Sequence, residues 1–278
     1  LHSDHFGDLD AFIVGSWLSG RYTPLHVYGG SGETPDLGTE AAVNALMKAL
    51  AWDIKGRSGA LPDAGGKVIP HEFDSKKEDQ EVYHEHGVKI TSWPAIHSLD
   101  GSVSYRLEWN GLRFVFGGDT RPNKWFNKYA ANADFVIHEC FYTPEGLAEY
   151  NDWGMRQSTF VSSYIHTPPS GFGKVMAAVK PRMAVAYHSI LMPEQHQDML
   201  EEVRKTYDGP LTFATDLMVW NVTKDEITLR EVVFPDRVSP PPTTPAYQKA
   251  KRSGEAKMSD YVMSGVWEGF TPPPLPDN

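Results

Sequence analysis

Cysteine is nearly absent from this sequence, and its scarcity limits the chemistry that the chain can perform. The 278 residues contain a single cysteine, Cys140. One cysteine excludes an internal disulfide and any zinc site built from cysteine pairs, so a metal ion would be held by histidine and carboxylate groups. Because Cys140 follows an apolar run, we expect it to be a buried thiol and not a nucleophile.

Long apolar runs and an excess of positive charge are also missing. No stretch of about 18 apolar residues occurs, which argues against a membrane span, and we expect a soluble protein of the cytoplasm or the periplasm. Lysine and arginine number 26 against 36 aspartate and glutamate residues, which gives a net charge of −10. A surface of this sign repels a polyanion such as RNA unless a local basic patch offsets it. Composition therefore favours a small-molecule substrate over a nucleic acid.

Short apolar runs alternate with helical stretches, which is the pattern of a layered α/β fold. The patterns predict strands at 24–29, 87–96, 103–109, 113–119, 134–140, 183–189 and 211–222, and helices at 39–52, 170–180 and 193–205. Asn110 and Gly111 separate two of these strands and predict a two-residue hairpin with a type I′ turn. We expect one domain over 1–234. Proline is dense over 235–278, where we expect a tail that wraps on this subunit or on a neighbour.

Histidine and aspartate are concentrated at the start of the chain and at the ends of three predicted strands. Functional groups collect at strand ends along one edge of α/β sheets, because the loops there can converge. Six residues qualify by this criterion: His2, Asp4, His5, His97, Asp119 and His188. Their four imidazoles and two carboxylates form a donor set that suits Zn²⁺.

The stretches "LHSDHFGDL", "AIH", "GGDTRP" and "AYHS" resemble, in order and spacing, the metal-binding motifs of the metallo-β-lactamase superfamily. The resemblance covers roughly residues 1–230 and implies an αββα four-layer sandwich holding two Zn²⁺ ions per subunit, with other divalent metals as an alternative. It implies two metal sites that share Asp119, the first with His2 and His97, the second with Asp4, His5 and His188. The first histidine of the family motif would precede Leu1, so we expect the N-terminal part of the fold to be missing.

The stretch "SYIHTPPSGFGKVMAAVKPRMAVAYHS" is similar to the ribonuclease Z-like branch, in which one histidine precedes a helix and the last metal-binding histidine follows 22 residues later. This similarity implies that His166 is a general acid for the leaving group and that Asp4 orients or deprotonates the attacking water. His138 and Glu139 match the "HE" strand end of the branch, where we expect a structural role.

Two departures from the ribonuclease Z-like pattern turn the prediction away from RNA. Asp119 follows His97 by only 22 positions, which leaves no room for the long arm that clamps tRNA. Phe116 stands where we expect a carboxylate that supports His166. The stretches "EWNG", "VFGGDT", "AYH" and "MVWN" resemble metagenomic class B3-type β-lactamases with a ribonuclease Z-like scaffold. We therefore predict a homodimeric metallohydrolase that opens β-lactam rings, with no nucleic-acid or membrane partner.

Other activities stay open because related enzymes use nearly the same metal ligands. The alternatives are a ribonuclease Z-like phosphodiesterase that processes tRNA 3′ ends, and a hydrolase of lactones, aryl esters or sulfates. A protein that binds metal without hydrolysis is a further alternative. If RNA is the substrate, Arg21, Lys124 and Lys128 are candidates for local basic contacts.

Overall fold

The computed structural model describes residues 1–189 and 193–231, together with Ser259. The predicted tail at 235–278 lies outside these residues apart from Ser259, so its interface role stays a prediction. The helices are α1 (Ser3–Phe6), α2 (Leu9–Leu18), α3 (Thr39–Ala49), α4 (Ala51–Arg57), α5 (Lys124–Tyr129), α6 (Pro144–Asn151), α7 (Met155–Phe160), α8 (Pro169–Val179) and α9 (Pro193–Arg204). A π-helical turn, Val161–Ile165, continues α7.

The strands are β1 (Leu25–Gly30), β2 (Val68–Phe73), β3 (Gln80–Glu85), β4 (Val88–Pro94), β5 (Val103–Trp109), β6 (Leu112–Phe116), β7 (Phe135–Glu139), β8 (Met183–Tyr187), β9 (Leu211–Phe213), β10 (Met218–Val222) and β11 (Ile227–Glu231). Among the described residues, β1 pairs with β2, β10 pairs with β11, and the other strands form a seven-stranded sheet. This mixture of sheet and helices confirms the predicted α/β class.

The chain divides into two compact units. The first unit comprises Leu1–His5, His26–Ala45 and the described residues of 70–231, and the second comprises Phe6–Leu25, Leu46–Ile69 and Ser259. The predicted domain limit at 234 falls outside the described residues and stays a prediction. No helix in the described part of the chain combines the length and apolarity needed to cross a membrane.

Strand direction within the seven-stranded sheet determines where functional groups can meet. The order is β3-β4-β5-β6-β7-β8-β9. Pairing is antiparallel from β3 to β6 and parallel from β6 to β9. Since β4 is antiparallel to β5 and β5 to β6, the strands β4, β6, β7 and β8 all run in one direction. Their carboxyl ends therefore lie along the same edge of the sheet.

One hydrophobic core in the first unit supports this edge. The helix α8 buries Phe172, Val175, Met176 and Val179 at the 3–4 residue spacing of one helical face. These side chains belong to a cluster with apolar residues of β4, β6, β7 and β8 and with residues of α5 and α9. Cys140 is completely buried in the same cluster, as predicted.

The predicted hairpin is confirmed, and the differences elsewhere have local causes. Asn110 and Gly111 have φ of 51° and 77°, the positive values that a type I′ turn requires, and Trp109 pairs with Leu112. The strand predicted over 211–222 is interrupted at Leu217, whose φ is 69°. Strand β3 was missed because it lies at the edge of the sheet, where charged residues replace the apolar alternation of a central strand.

His138 is a fully buried histidine of β7, and it should make stability depend on pH. Its Nδ1 donates to the Glu139 carbonyl oxygen at 2.7 Å, and its ring packs against Phe126 at 4.5 Å. Burial lowers the pKa of His138 to about 4, whereas a histidine in an unfolded chain has a pKa near ~6.5. The unfolded state thus binds more protons between these values, so stability is lost as pH falls through this window, by roughly 3 kcal/mol at most.

Replacement of His138 with asparagine, whose amide can keep the donation to the Glu139 carbonyl, should flatten this dependence. We expect the free energy of unfolding to fall less in His138→Asn than in the wild type between pH 7 and pH 4.5. Urea unfolding at both pH values measures the two decreases. Equal decreases in the two proteins would contradict the assignment of this pH effect to His138.

Candidate metal centre

The shared strand edge brings four functional residues together. His97 follows β4, Asp119 follows β6, Glu139 is the last residue of β7, and His188 directly follows β8. The turn before Asp119 uses Gly118 at a φ of 63°. His188 itself has a φ of 66°, in the left-handed region that costs a non-glycine residue about 1–2 kcal/mol. Backbone strain of this kind, held by the surrounding structure, is typical of functional positions.

Four side chains form the first donor group, which consists of Asp4, His5, Asp119 and His188. His5 Nε2 lies 3.0 Å from Asp119 Oδ2 and 3.2 Å from both His188 Nε2 and Asp4 Oδ2. His188 Nε2 lies 3.2 Å from Asp4 Oδ2 and 3.3 Å from Asp119 Oδ1. The four donor atoms therefore lie close enough together to contact a single ion.

This arrangement fits a divalent cation better than a set of hydrogen bonds. A ring nitrogen carries at most one proton, so His5 Nε2 cannot donate to all three of its neighbours at once. A tetrahedral zinc with bonds of about 2.0–2.1 Å separates its ligands by roughly 3.3 Å, close to the distances found here. Asp119 Oδ1 is buried and lacks a hydrogen-bond partner among the described residues, which leaves a lone pair for a cation.

A second donor group consists of His2, His97 and Asp119, so that Asp119 belongs to both. His97 Nε2 lies 3.2 Å from His2 Nδ1 and 3.7 Å from Asp119 Oδ2. The other ring nitrogen of His97, Nδ1, donates to the Ile165 carbonyl oxygen at 3.2 Å and thereby holds Nε2 towards the group. Burial lowers the pKa of His97, which favours the neutral imidazole that binds metals.

His166 lies beside these groups and pairs with a buried carboxylate. Its Nδ1 contacts Glu139 Oε2 at 2.7 Å, and its ring stacks on Phe141 with centroids 4.1 Å apart. Glu139 is completely buried and also accepts from the Thr120 backbone N–H. The carboxylate that supports His166 is therefore supplied by β7. The presence of Phe116 at the end of β6 therefore does not leave His166 without a carboxylate partner.

Burial has opposite effects on the two members of this pair. It lowers the pKa of His166 and raises the pKa of Glu139 well above its usual value, because each charged form is disfavoured away from water. Asp119 raises the pKa of Glu139 further. A pair without net charge is therefore favoured, and such a pair keeps one acidic proton at neutral pH.

The structure thus gathers every residue that the sequence singled out for the site. The six predicted ligands fall into the two donor groups, and His166 shares a third group with Asp119, Glu139 and His188. Their roles as metal ligands, and that of His166 as an acid, stay predictions. The structural role expected for Glu139 also stays a prediction, and the contact of its carboxylate with His166 was not anticipated from the sequence.

Solved structures of the metallo-β-lactamase fold resemble this chain. The metallo-β-lactamase fold protein YhfI of Bacillus subtilis aligns with a TM-score of 0.51 and 18% identity over 77% of this chain and 71% of its own. Human tRNase Z, short form, aligns with a TM-score of 0.51 and 14% identity over 78% of this chain and 74% of its own. At identities this low, the alignments show the fold alone. They confirm the predicted metallo-β-lactamase fold.

Curated relatives are named ribonuclease Z. The ribonuclease Z of Mycobacterium marinum is 31% identical over 144 residues, which are 50% of this chain and 48% of the relative. The ribonuclease Z of Archaeoglobus fulgidus is 22% identical over 263 residues, covering 81% of this chain and 79% of the relative. The chain spans about half the length of the first curated relatives that it matches. No family model matches the chain.

These relatives overturn two predictions. The prediction of β-lactam opening is wrong, since the curated relatives are named ribonuclease Z, and the exclusion of a nucleic-acid partner is wrong for the same reason. Net charge describes the whole surface, whereas RNA contacts a local part of it. The class B3 resemblance is not confirmed, and the homodimer, the identity of the metal and the number of ions stay predictions. The chain therefore has the metallo-β-lactamase fold and, over about half of its length, a sequence similar to that of ribonuclease Z.

Proposed function

We propose that this chain carries the catalytic centre of a metal-dependent phosphodiesterase that cleaves RNA, of the ribonuclease Z kind, at the 3′ end of precursor tRNA. One observation carries the proposal. Two donor groups that share Asp119 lie beside the His166–Glu139 pair, in a chain whose relatives are ribonucleases Z. Phosphodiester hydrolysis needs both an activated water and a proton for the leaving oxygen, and this arrangement offers groups for each.

Zn²⁺ is the cation that we propose, because imidazole and carboxylate donors suit it. Two ions would be held, one by His2, His97 and Asp119 and the other by Asp4, His5, Asp119 and His188. When bound, such cations lower the pKa of a coordinated water towards ~7 and offset negative charge on phosphoryl oxygens.

Asp4 is the group that we assign to the attacking water. Its side chain is 58% exposed, so water and substrate can reach the carboxylate. Partial burial alone would raise its pKa, but the hydrogen bond with His188 and the nearby charge of His5 outweigh that effect and hold the pKa of Asp4 below its usual value. The carboxylate is therefore ionised at neutral pH and able to orient the water or accept its proton.

The His166–Glu139 pair is the group that we assign to protonation of the leaving oxygen. Glu139 fixes the Nδ1 side of the ring, which leaves Nε2 as the atom that can donate a proton. As the water oxygen bonds to phosphorus, the bond between phosphorus and the leaving oxygen breaks, and His166 protonates that oxygen. The stacked ring of Phe141 limits rotation of the imidazole.

The proposal is tested with purified, zinc-loaded protein and precursor tRNA that carries a labelled 3′ trailer. We expect release of the trailer, loss of this activity on chelation, and recovery when Zn²⁺ is added back. His97→Ala should lose metal and activity, whereas His84→Ala, which removes an exposed histidine outside the donor groups, should keep both. Cleavage that survives complete chelation, or lactone turnover orders of magnitude faster than RNA cleavage, would refute the proposal.

A further inference from the structure

Two exposed aromatic rings stand next to the candidate metal centre. Phe160 and Tyr164 are 55% and 57% exposed, and their rings are stacked with centroids 5.9 Å apart and planes 14° apart. They are four residues apart where α7 passes into the π-helical turn, so they share one face. With Met155 and Arg156 they line an open groove of about 870 Å³. Contiguous exposed apolar surface of this kind is typical of binding sites.

Positive charge accompanies these rings. The guanidinium carbon of Arg121 lies 5.8 Å from the centroid of the Tyr164 ring, within the range of a cation–π contact. Arg156 is exposed in the wall of the groove. Within the described part of the chain, neither arginine has a carboxylate at ion-pair distance, whereas Lys128 is paired with Glu78. In a chain with a net charge of −10, two unpaired arginines beside stacked rings form a local basic patch.

The patch is linked to the donor groups by short stretches of chain. Tyr164 directly precedes Ile165, whose carbonyl oxygen lies 3.2 Å from His97 Nδ1, and His166 follows. On the other side, Arg121 is two positions after Asp119 and its backbone N–H donates to the Ile96 carbonyl oxygen. A strand whose phosphate lies at the donor groups would therefore reach these rings within a few nucleotides.

We propose that Phe160, Tyr164, Arg121 and Arg156 form a stacking platform for unpaired bases next to the phosphate that is cleaved. This inference rests on the proposed function, since it takes RNA as the substrate. Every base has a flat face that stacks on an aromatic ring, and arginine adds contacts to phosphate and base. The platform binds without reading sequence, and it selects single-stranded over base-paired flanks. The platform would contribute RNA binding in a chain where a hairpin, and no long tRNA-clamping arm, lies between His97 and Asp119.

The experiment compares two RNA substrates that differ only in whether the flank beside the cleaved phosphate is unpaired or base-paired. The test protein combines Phe160→Ala with Tyr164→Ala, and the conservative protein combines Phe160→Tyr with Tyr164→Phe. Trp109→Ala is the matched control, because Trp109 is also half exposed but lies at the hairpin turn. We expect the double alanine variant to lose about 10- to 100-fold in kcat/KM on the unpaired substrate relative to the paired one. The conservative and control variants should keep the wild-type preference.

A binding measurement separates failure of the platform from failure of the proposed function. Affinity is measured for the same RNA with a methylphosphonate at the cleaved position, and sedimentation reports the oligomeric state. If the double alanine variant binds and cleaves like the wild type, the platform is refuted while the ribonuclease assignment stands. If the wild type binds RNA with unpaired flanks but does not cleave it, and the double alanine variant binds that RNA more weakly, the platform stands and the proposed function fails. A variant that changes only the oligomeric state would show that a second copy of the chain covers these rings, and would overturn the platform.

Discussion

Replacement of Asp119 with alanine is expected to abolish RNA cleavage and to weaken metal binding in both donor groups. Asp119 is the residue that the two groups share, with Oδ2 at 3.0 Å from His5 Nε2 and at 3.7 Å from His97 Nε2. Loss of one carboxylate therefore removes a ligand from each group. We expect turnover to fall by about 10³-fold or more, since water activation depends on the intact centre.

Elemental analysis after dialysis, together with cleavage assays, measures this effect. Asp134→Ala is the matched control, because Asp134 is also a largely buried aspartate but pairs with Arg182 outside the donor groups. The control should lose stability and keep its metal. An Asp119→Ala protein that retains two tightly held ions and normal turnover would show that Asp119 does not bridge the groups.

Replacement of His166 with alanine is expected to leave metal binding intact and to lower turnover by roughly 10²–10⁴-fold, the usual range for loss of a general acid. The loss should be large for RNA, whose leaving oxygen needs a proton, and small for a p-nitrophenyl diester, whose leaving group does not. A role in capping the helix is the structural alternative. It is disfavoured because α8 begins after Pro168 and has no side-chain cap.

Glu139 should act through His166 as a positioning residue. We expect Glu139→Gln to lower turnover by about 10–100-fold and to show the same dependence on the leaving group. The turnover of the variant that combines Glu139→Gln with His166→Ala should be little lower than that of His166→Ala alone, since both changes disable the same His166–Glu139 pair. Equal losses of the His166 variant on both substrates, or no loss on either, would rule out proton donation.

The sequence by itself was enough to predict the class of fold and to single out the residues that the fold brings together in the donor groups. Histidine and aspartate at strand ends are recognisable because apolar runs mark the strands, and a two-residue turn such as Asn110–Gly111 is determined by local backbone preferences. The resemblance to the metallo-β-lactamase superfamily rested on the same local spacing. These features depend on residues that are near one another in the chain.

Only the tertiary structure decided which side chains contact one another. Glu139 supports His166 because β7 lies between β6 and β8 and runs in the same direction, and strand order is not encoded in local spacing. The prediction of a small-molecule substrate relied partly on net charge, which sums the whole surface, whereas the arginines beside Phe160 and Tyr164 come close to those rings only when the chain folds. Pairings between distant segments arise from packing of the whole core, so sequence patterns alone could indicate the chemical groups but not their partners.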